Sequence, residues 1–113
     1  MHEMSLAENI MQLIEDAALE QQFTQVITVW LEIGQLACVE KESLHFYFDV
    51  VTQDSVARQA KLEIIEIPGQ ALCNQCNQDT LITAYHAACP HCGSYALHVT
   101  QGNEMRIKEL EVK

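Results

Sequence analysis

Positive charge is scarce in this sequence. Its 113 residues include six lysines and arginines against sixteen aspartates and glutamates, so the formal charge is −10. A surface of this sign repels phosphate backbones, which argues against nucleic acid as a partner. Proline and glycine are also few, with two and four copies, and 49% of the residues are hydrophobic. This composition predicts a globular rather than a disordered chain.

Long apolar runs and targeting patterns are missing as well. No run approaches the length of a membrane span, and Met1-His2-Glu3 lacks the positive region of a secretory signal. We therefore expect a cytoplasmic protein, in which thiols stay reduced and close cysteine pairs indicate a metal site before a disulfide. The motifs of catalysis are missing too: there is no P-loop, no glycine-rich phosphate cradle and no supported Ser-His-Asp order, so we expect no enzyme.

Four of the five cysteines form two closely spaced pairs. Cys73-Asn-Gln-Cys76 and Cys89-Pro-His-Cys92 are separated by twelve residues, and Gly93 follows the second pair. Two such pairs place four sulfur ligands at the corners of a tetrahedron, which suits Zn²⁺ with Zn–S distances of about 2.3 Å. Four thiolates leave no open position for water or substrate, so this zinc is expected to be structural. Disulfides or free thiols are the alternative for the same residues.

The remaining metal-ligating side chains near these pairs have weaker patterns. His86, His91 and His98 are expected to be solvent-facing or to support the ligands, the alternative being replacement of a thiolate under acid or oxidising conditions. Cys38 has no partner at a metal-ligand spacing. We interpret it as a small buried or half-buried hydrophobic residue.

Hydrophobic periodicity predicts five regular elements. A helix is expected from Ser5 to Gln21, with Ser5 and Glu8 as a capping box, and a second from Glu40 to Asp54. In the first helix, Leu6, Ile10, Leu13, Ile14, Ala17 and Ala18 fall on one face. Strands are expected at 24–36, 61–68 and 104–112. The alternation of apolar and polar residues is interrupted in both of the last two strands. This predicts either that the two strands are paired neighbours or that both faces of each strand are buried.

The order of these elements defines the fold class. We predict an α+β protein with two helices on a three-stranded sheet and an inserted zinc-ribbon-like domain built on the four paired cysteines. The α+β domain comprises residues 1–70 plus 99–113, and the zinc-binding domain comprises 71–98. The insert has few large apolar side chains, so its folding free energy is expected to come mostly from the metal, about 10–16 kcal/mol in zinc-finger peptides.

The first three residues carry a second set of candidate metal donors. A histidine at position two can bind a metal through its imidazole and its own deprotonated backbone amide, with the Met1 amine and the Glu3 carboxylate within reach. Nitrogen and oxygen donors in a planar set favour Ni(II) or Cu(II). The other interpretation is an ordinary frayed chain end.

Taken together, the chain resembles the HypA/HybF family of hydrogenase nickel-incorporation proteins over its whole length. The resemblance rests on the Met1-His2-Glu3 start, the helix beginning Ser5-Leu6, the two cysteine pairs and the ending Gly102-Asn103-Glu104-Met105-Arg106-Ile107. It implies a nickel metallochaperone for [NiFe]-hydrogenase maturation. It also implies that His2 and its neighbouring backbone, with Glu3, hold Ni²⁺ as transferable cargo, while Cys73, Cys76, Cys89 and Cys92 hold a structural Zn²⁺. A carboxylate at Glu3 could instead support the ligands or bind the partner.

The same resemblance implies partners. Members of the family work with the GTPase HypB and deliver nickel to the large subunit of [NiFe]-hydrogenase, and some also serve urease maturation with urease accessory proteins. Two alternatives come from the cysteines alone. One is a rubredoxin-like electron carrier, because Cys-Pro-x-Cys-Gly also suits iron, and the other is a zinc-ribbon interaction module. Neither alternative accounts for the first three residues.

Overall fold

A computed structural model describes residues 3–113 as two helices, six strands and a short 3₁₀ turn. The elements, in chain order, are α1 (Glu3–Gln21), β1 (Val26–Gly34), the 3₁₀ turn (Gln35–Ala37), α2 (Lys41–Val51), β2 (Lys61–Ile67), β3 (Gln70–Cys73), β4 (Asp79–Leu81), β5 (Leu97–Gln101) and β6 (Met105–Val112). This combination confirms the predicted α+β class. Within residues 3–113, neither helix is both long and apolar enough to cross a bilayer.

The first helix begins earlier than its capping signal predicts. Because α1 starts at Glu3, Ser5 lies inside the first turn, so the predicted N-cap at Ser5 is wrong. The buried face follows the expected helical spacing and comprises Leu6, Ala7, Ile10, Met11, Ile14 and Ala18. Leu13 was placed on that face by sequence, but its side chain is 53% exposed. A helix face only about 100° wide excludes a residue at its edge.

The second helix is shorter than predicted because its end is capped at Thr52. The Thr52 hydroxyl donates to the Phe48 carbonyl at 2.7 Å, and its backbone N–H donates to the same oxygen at 3.1 Å. At the other end Glu40 is the N-cap residue, and Ser43 donates to its carboxylate at 3.0 Å. Leu44 and Phe48 are fully buried, and α2 packs against α1.

The larger sheet has the strand order β2-β1-β6. Strands β2 and β6 therefore flank β1 and are not paired with each other. The prediction that these two strands are paired neighbours is wrong. In β1 the buried positions Thr28 and Val29 are consecutive, so the burial pattern shifts by one residue in mid-strand. The Thr28 hydroxyl donates to Glu111 of β6 at 2.8 Å.

A second, smaller sheet has the order β4-β3-β5, and both pairings are antiparallel. None of these three strands is predicted by sequence periodicity, because they have only three to five residues each. Leu36, Ala71 and Ile82 form the buried cluster of this sheet, with Ala87, Leu97 and Val99 packed against it. So small an apolar cluster needs a further source of stability.

The chain forms two compact units. The first contains the described residues up to Leu31, Val39–Ile65 and Arg106–Lys113, and the second contains Glu32–Cys38 and Glu66–Met105. The second unit thus includes segment 71–98 and extends beyond it on both sides. Cys38, the last residue of the first of these two segments, is exposed, so the prediction that it is buried or half-buried is wrong. Its thiol donates to the Leu36 carbonyl at 3.6 Å.

Three glycines bring backbone segments into close contact within the second unit. A Cβ atom on Gly34 would lie 2.0 Å from the Gly102 carbonyl oxygen, and one on Gly102 would lie 2.4 Å from Gly69 Cα. The Leu36 N–H donates to the Gly102 carbonyl at 2.7 Å, and Gly102 itself has φ +105°. Only glycine fits at so close an approach.

Candidate metal centre

The first cysteine pair lies in a tight turn at the end of β3. The Cys73 carbonyl accepts the Asn77 N–H at 2.8 Å, and the Cys73 N–H donates to the Gln78 carbonyl at 3.0 Å. Asn77, directly after Cys76, has a left-handed backbone with φ 59°. Asparagine is one of the few residues that tolerate this conformation. The turn therefore directs the side chains of Cys73 and Cys76 to the same side.

The second cysteine pair lies in an equivalent turn. The Cys89 carbonyl accepts the Gly93 N–H at 2.7 Å, and the Cys89 N–H donates to the Ser94 carbonyl at 2.7 Å. Gly93, directly after Cys92, has φ 76°. The turn after Cys89 thus has the same backbone hydrogen bonds as the turn after Cys73. Its left-handed residue also lies the same number of residues after the first cysteine of the pair.

The two turns bring their sulfur atoms together. Cys73 Sγ lies 3.6 Å from Cys92 Sγ, and Cys76 Sγ lies 3.7 Å from Cys89 Sγ. All four sulfurs lie within 4.8 Å of one another, and none is in a disulfide. Four sulfurs at about 2.3 Å from a tetrahedral zinc would be ~3.8 Å apart, so this arrangement fits the ion closely.

Burial differs between the two positions of each pair. The first cysteines, Cys73 and Cys89, are buried, whereas Cys76 is half-buried and Cys92 is exposed. The first member of each pair is therefore shielded from solvent, and the second lies toward solvent. A metal bound here would be reachable from the side of Cys76 and Cys92.

Hydrogen bonds make the four thiols unequal. The backbone N–H groups of Cys76 and Gln75 donate to Cys73 Sγ and, against the effect of desolvation, lower the pKa of Cys73 to about 7. At Cys92 the Ser94 N–H acts to lower the pKa, but desolvation and the hydrogen bonds to neighbouring sulfurs outweigh it and raise the pKa to about 12. A thiolate is therefore favoured at Cys73 and disfavoured at Cys92.

The pKa of Cys76 shows the same competition. The Gln78 N–H acts to lower it, and desolvation together with hydrogen bonds to Cys73 and Cys89 raises it. Four sulfurs this close cannot all carry negative charge unless a cation lies among them. The donor set therefore fits a divalent ion bound by four thiolates in a closed shell, which is the chemistry of a structural rather than a catalytic zinc site.

The structure brings together four of the six predicted metal ligands. Among residues 3–113, the only cluster with metal-ligand geometry consists of the four cysteines, and it includes none of the histidines. Of the predicted nickel donors, Glu3 is half-buried in the first turn of α1, where the helix dipole favours a carboxylate. His2 and Met1 lie outside the described residues.

The sequence interpretation missed Asn77, whose backbone shapes the first turn of the metal centre. Its left-handed backbone closes the first turn as Gly93 closes the second. A usable signal was present, because both cysteine pairs are followed directly by a residue type that accepts positive φ.

Comparisons with known proteins are consistent with this centre. The profile of the HypA family, described as hydrogenase and urease nickel-incorporation metallochaperones, matches residues 1–112. The chain belongs to the HypA family. Its function is accordingly that of a nickel metallochaperone in hydrogenase maturation and not that of an enzyme, which replaces the rubredoxin-like and zinc-ribbon alternatives.

Individual relatives support the same assignment along the whole chain. Hydrogenase maturation factor HypA of Azotobacter chroococcum mcd 1 is 58% identical, and that of Azotobacter vinelandii is 56% identical, each over 113 residues and all of both chains. The solution structure of the Ni metallochaperone HypA from Helicobacter pylori is 29% identical, with a TM-score of 0.73 over 99% of this chain and 97% of that one.

Proposed function

We propose that this chain carries Ni²⁺ on His2, through the imidazole and the adjoining backbone amide, with the Glu3 carboxylate as a further ligand. Membership of the HypA family supports a nickel cargo, and nitrogen and oxygen donors suit Ni(II) better than a tetrahedral ion. The observation that carries the proposal is that the family match covers residues 1–112 and so includes His2 and Glu3.

In this proposal Cys73, Cys76, Cys89 and Cys92 hold a structural Zn²⁺. Their sulfurs lie within 4.8 Å of one another, and four thiolates leave no site for cargo exchange. Nickel and zinc are thereby assigned to different parts of the chain: residues 1–70 plus 99–113 form the nickel-binding domain, and residues 71–98 form the zinc-binding domain. The nickel is exchanged and the zinc is retained.

Nickel transfer follows from the chemistry of the proposed donors. Imidazole and amide nitrogens must be deprotonated to bind the metal, so nickel affinity should fall as the pH is lowered. A partner offering its own donors replaces these ligands one at a time. We assign the receiving side to the GTPase HypB and the large subunit of [NiFe]-hydrogenase in the cytoplasm, with urease maturation as a second destination.

Nickel titration of purified, zinc-containing protein tests the ligand assignment. We expect His2→Ala to weaken nickel binding at least about tenfold, because losing even a group that only supports a ligand costs about 10- to 100-fold. Glu3→Gln should weaken it less. One residue added before Met1 converts the Met1 amine into a peptide nitrogen. A lower nickel affinity of that variant would show that the amine is also a donor. Equal nickel affinity of wild type and His2→Ala would overturn the assignment.

Two controls separate nickel from zinc. His45→Ala removes an exposed imidazole from α2 and should leave nickel affinity unchanged. Cys76→Ser should release zinc and leave nickel bound at the wild-type stoichiometry, because the Cys76 sulfur belongs to the zinc site.

Co-elution of the nickel-loaded chain with purified HypB tests the partner. If the two proteins do not co-elute, HypB is excluded as the direct acceptor.

A further inference from the structure

Two sulfur contacts join the two turns of the metal centre to each other. Cys73 Sγ lies 3.6 Å from Cys92 Sγ, and Cys76 Sγ lies 3.7 Å from Cys89 Sγ. The cysteines in contact are 19 and 13 residues apart in sequence. Both contacts therefore pair a cysteine of one turn with a cysteine of the other, and not the two members of one Cys-x-x-Cys pair.

Solvent reaches the four sulfurs unequally. Cys92 is exposed and Cys76 is half-buried, whereas Cys73 and Cys89 are buried. The space beside Cys92 is also open, because a Cβ atom added at Gly93 would meet no atom within 4 Å. A small molecule that approaches the centre from solvent therefore meets the Cys92 sulfur first.

Charge selects the kind of small molecule that can react there. A metal ion keeps its cysteine ligands deprotonated, so the Cys92 sulfur is a nucleophilic thiolate in the zinc-containing protein. The net charge of −10 repels anionic oxidants. Hydrogen peroxide is small and uncharged at neutral pH, and it oxidises thiolates. It is therefore the oxidant that this centre admits.

We propose that the zinc centre is a site of oxidation by hydrogen peroxide, in which Cys92 reacts first and Cys73 of the other turn completes a disulfide with it. This inference rests on the proposed assignment of zinc to the four cysteines. It is independent of the residues that bind nickel.

The reaction consists of two displacements at sulfur and oxygen. The Cys92 thiolate attacks one peroxide oxygen, so that an S–O bond forms, the O–O bond breaks and hydroxide leaves. The Cys73 thiolate then attacks the Cys92 sulfur, so that an S–S bond forms, the S–O bond breaks and a second hydroxide leaves. The two sulfurs together lose two electrons, and the peroxide gains them.

This disulfide removes two of the four thiolates of a site that needs four, so the zinc ion is released. A second equivalent of peroxide oxidises Cys76 and Cys89, whose sulfurs are already in contact. Both disulfides then connect one turn to the other, which is the connection that zinc makes in the reduced protein. A disulfide within each Cys-x-x-Cys pair would instead leave the two turns unconnected.

Treatment of the zinc-containing protein with hydrogen peroxide tests the proposal. The zinc content is measured first, and a chromogenic chelator then reports the release of zinc, which we expect to reach one ion per chain. Cys38→Ser is the matched control, because it removes an exposed thiol outside the cluster. This variant should release zinc at the wild-type rate, and retention of zinc by it would overturn the proposal.

Digestion with a protease that cuts before aspartate identifies the disulfides. Asp79 is the only aspartate between Cys73 and Cys92, so cleavage there separates the two cysteine pairs. After alkylation of free thiols, we expect the two fragments to remain joined. Fragmentation of the joined peptides by mass spectrometry should show a Cys73–Cys92 bond at one equivalent of peroxide. In the Cys38→Ser chain, dimedone, which traps sulfenic acids, should label Cys92.

The opposite results are equally clear. Separate fragments, each with its own internal disulfide, would overturn the proposal, and so would a first dimedone label on Cys76 or a sulfinic acid in place of the disulfide. Protein that is purified in reduced form without zinc would refute the zinc assignment itself. Zinc-containing protein that forms a disulfide within each pair would refute only the oxidation proposed for this centre.

Discussion

Asn77 and Gly93 occupy the same position in two equivalent turns, and both have a left-handed backbone, with φ 59° and 76°. Each donates its N–H to the carbonyl of the first cysteine of its pair, at 2.8 and 2.7 Å. This relationship gives the two halves of the metal centre the same backbone path. The four sulfurs converge because the turns match, and not only because the cysteine spacing does.

The two left-handed positions should respond differently to substitution. Asn77→Gly should be neutral or slightly stabilising, whereas Asn77→Val and Gly93→Val should each cost about 1–2 kcal/mol, because a β-branched residue is strained at positive φ. A Cβ atom at Gly93 would meet no atom within 4 Å, so we expect the loss there to come mainly from the backbone. Zinc affinity by chelator competition and the free energy of unfolding measure both effects. An Asn77→Val protein with wild-type zinc affinity would contradict this account.

The glycine contact between β1 and the β5–β6 turn leads to a stronger prediction. Gly34→Ala would put a methyl group 2.0 Å from the Gly102 carbonyl oxygen, so backbone must move. We expect a loss of more than about 2 kcal/mol in the free energy of unfolding, measured by urea titration, since overpacking of rigid groups typically costs about 1–3 kcal/mol. Gly93→Ala, where space is open, is the matched control and should cost less.

Sequence patterns located the metal centre but not the sheet that carries it. The spacing of the cysteines directly reflects the geometry of the ligands, and the periodicity of α1 is set by one buried face. Strands β3 and β4 have only four and three residues, which is too short for a period to emerge. Their pairing depends on contacts such as that of Ala71 with Val99, which are distant in sequence.

Helix ends were harder to predict for a similar reason. Ser5 with Glu8 matches a capping box, yet α1 extends back to Glu3, so the local signal was overridden. In α2 the end is set by Thr52, whose hydroxyl reaches the Phe48 carbonyl from a buried position. Whether a threonine side chain turns back onto its helix depends on its surroundings, which the sequence does not specify.

Removal of zinc should affect the two compact units unequally. The small sheet has only Leu36, Ala71 and Ile82 as a buried cluster, whereas metal binding supplies about 10–16 kcal/mol in zinc-finger peptides. Chelation, or Cys76→Ser, should therefore abolish protection from amide hydrogen exchange in β3 and β5. The helices should keep theirs, because Ile10, Ile14 and Phe48 are fully buried in a core of their own unit.

Cys38→Ser is the matched control for this experiment, since it removes an exposed thiol that lies outside the metal cluster. It should leave both zinc content and exchange protection at wild-type levels. Two results would contradict the prediction: protection of β3 and β5 that persists without zinc, or an equal loss of protection in α1. The first would mean that the turns and the apolar cluster suffice to hold the small sheet. The second would mean that folding of the helices is coupled to the metal, so that cargo binding and zinc binding could not be separated energetically.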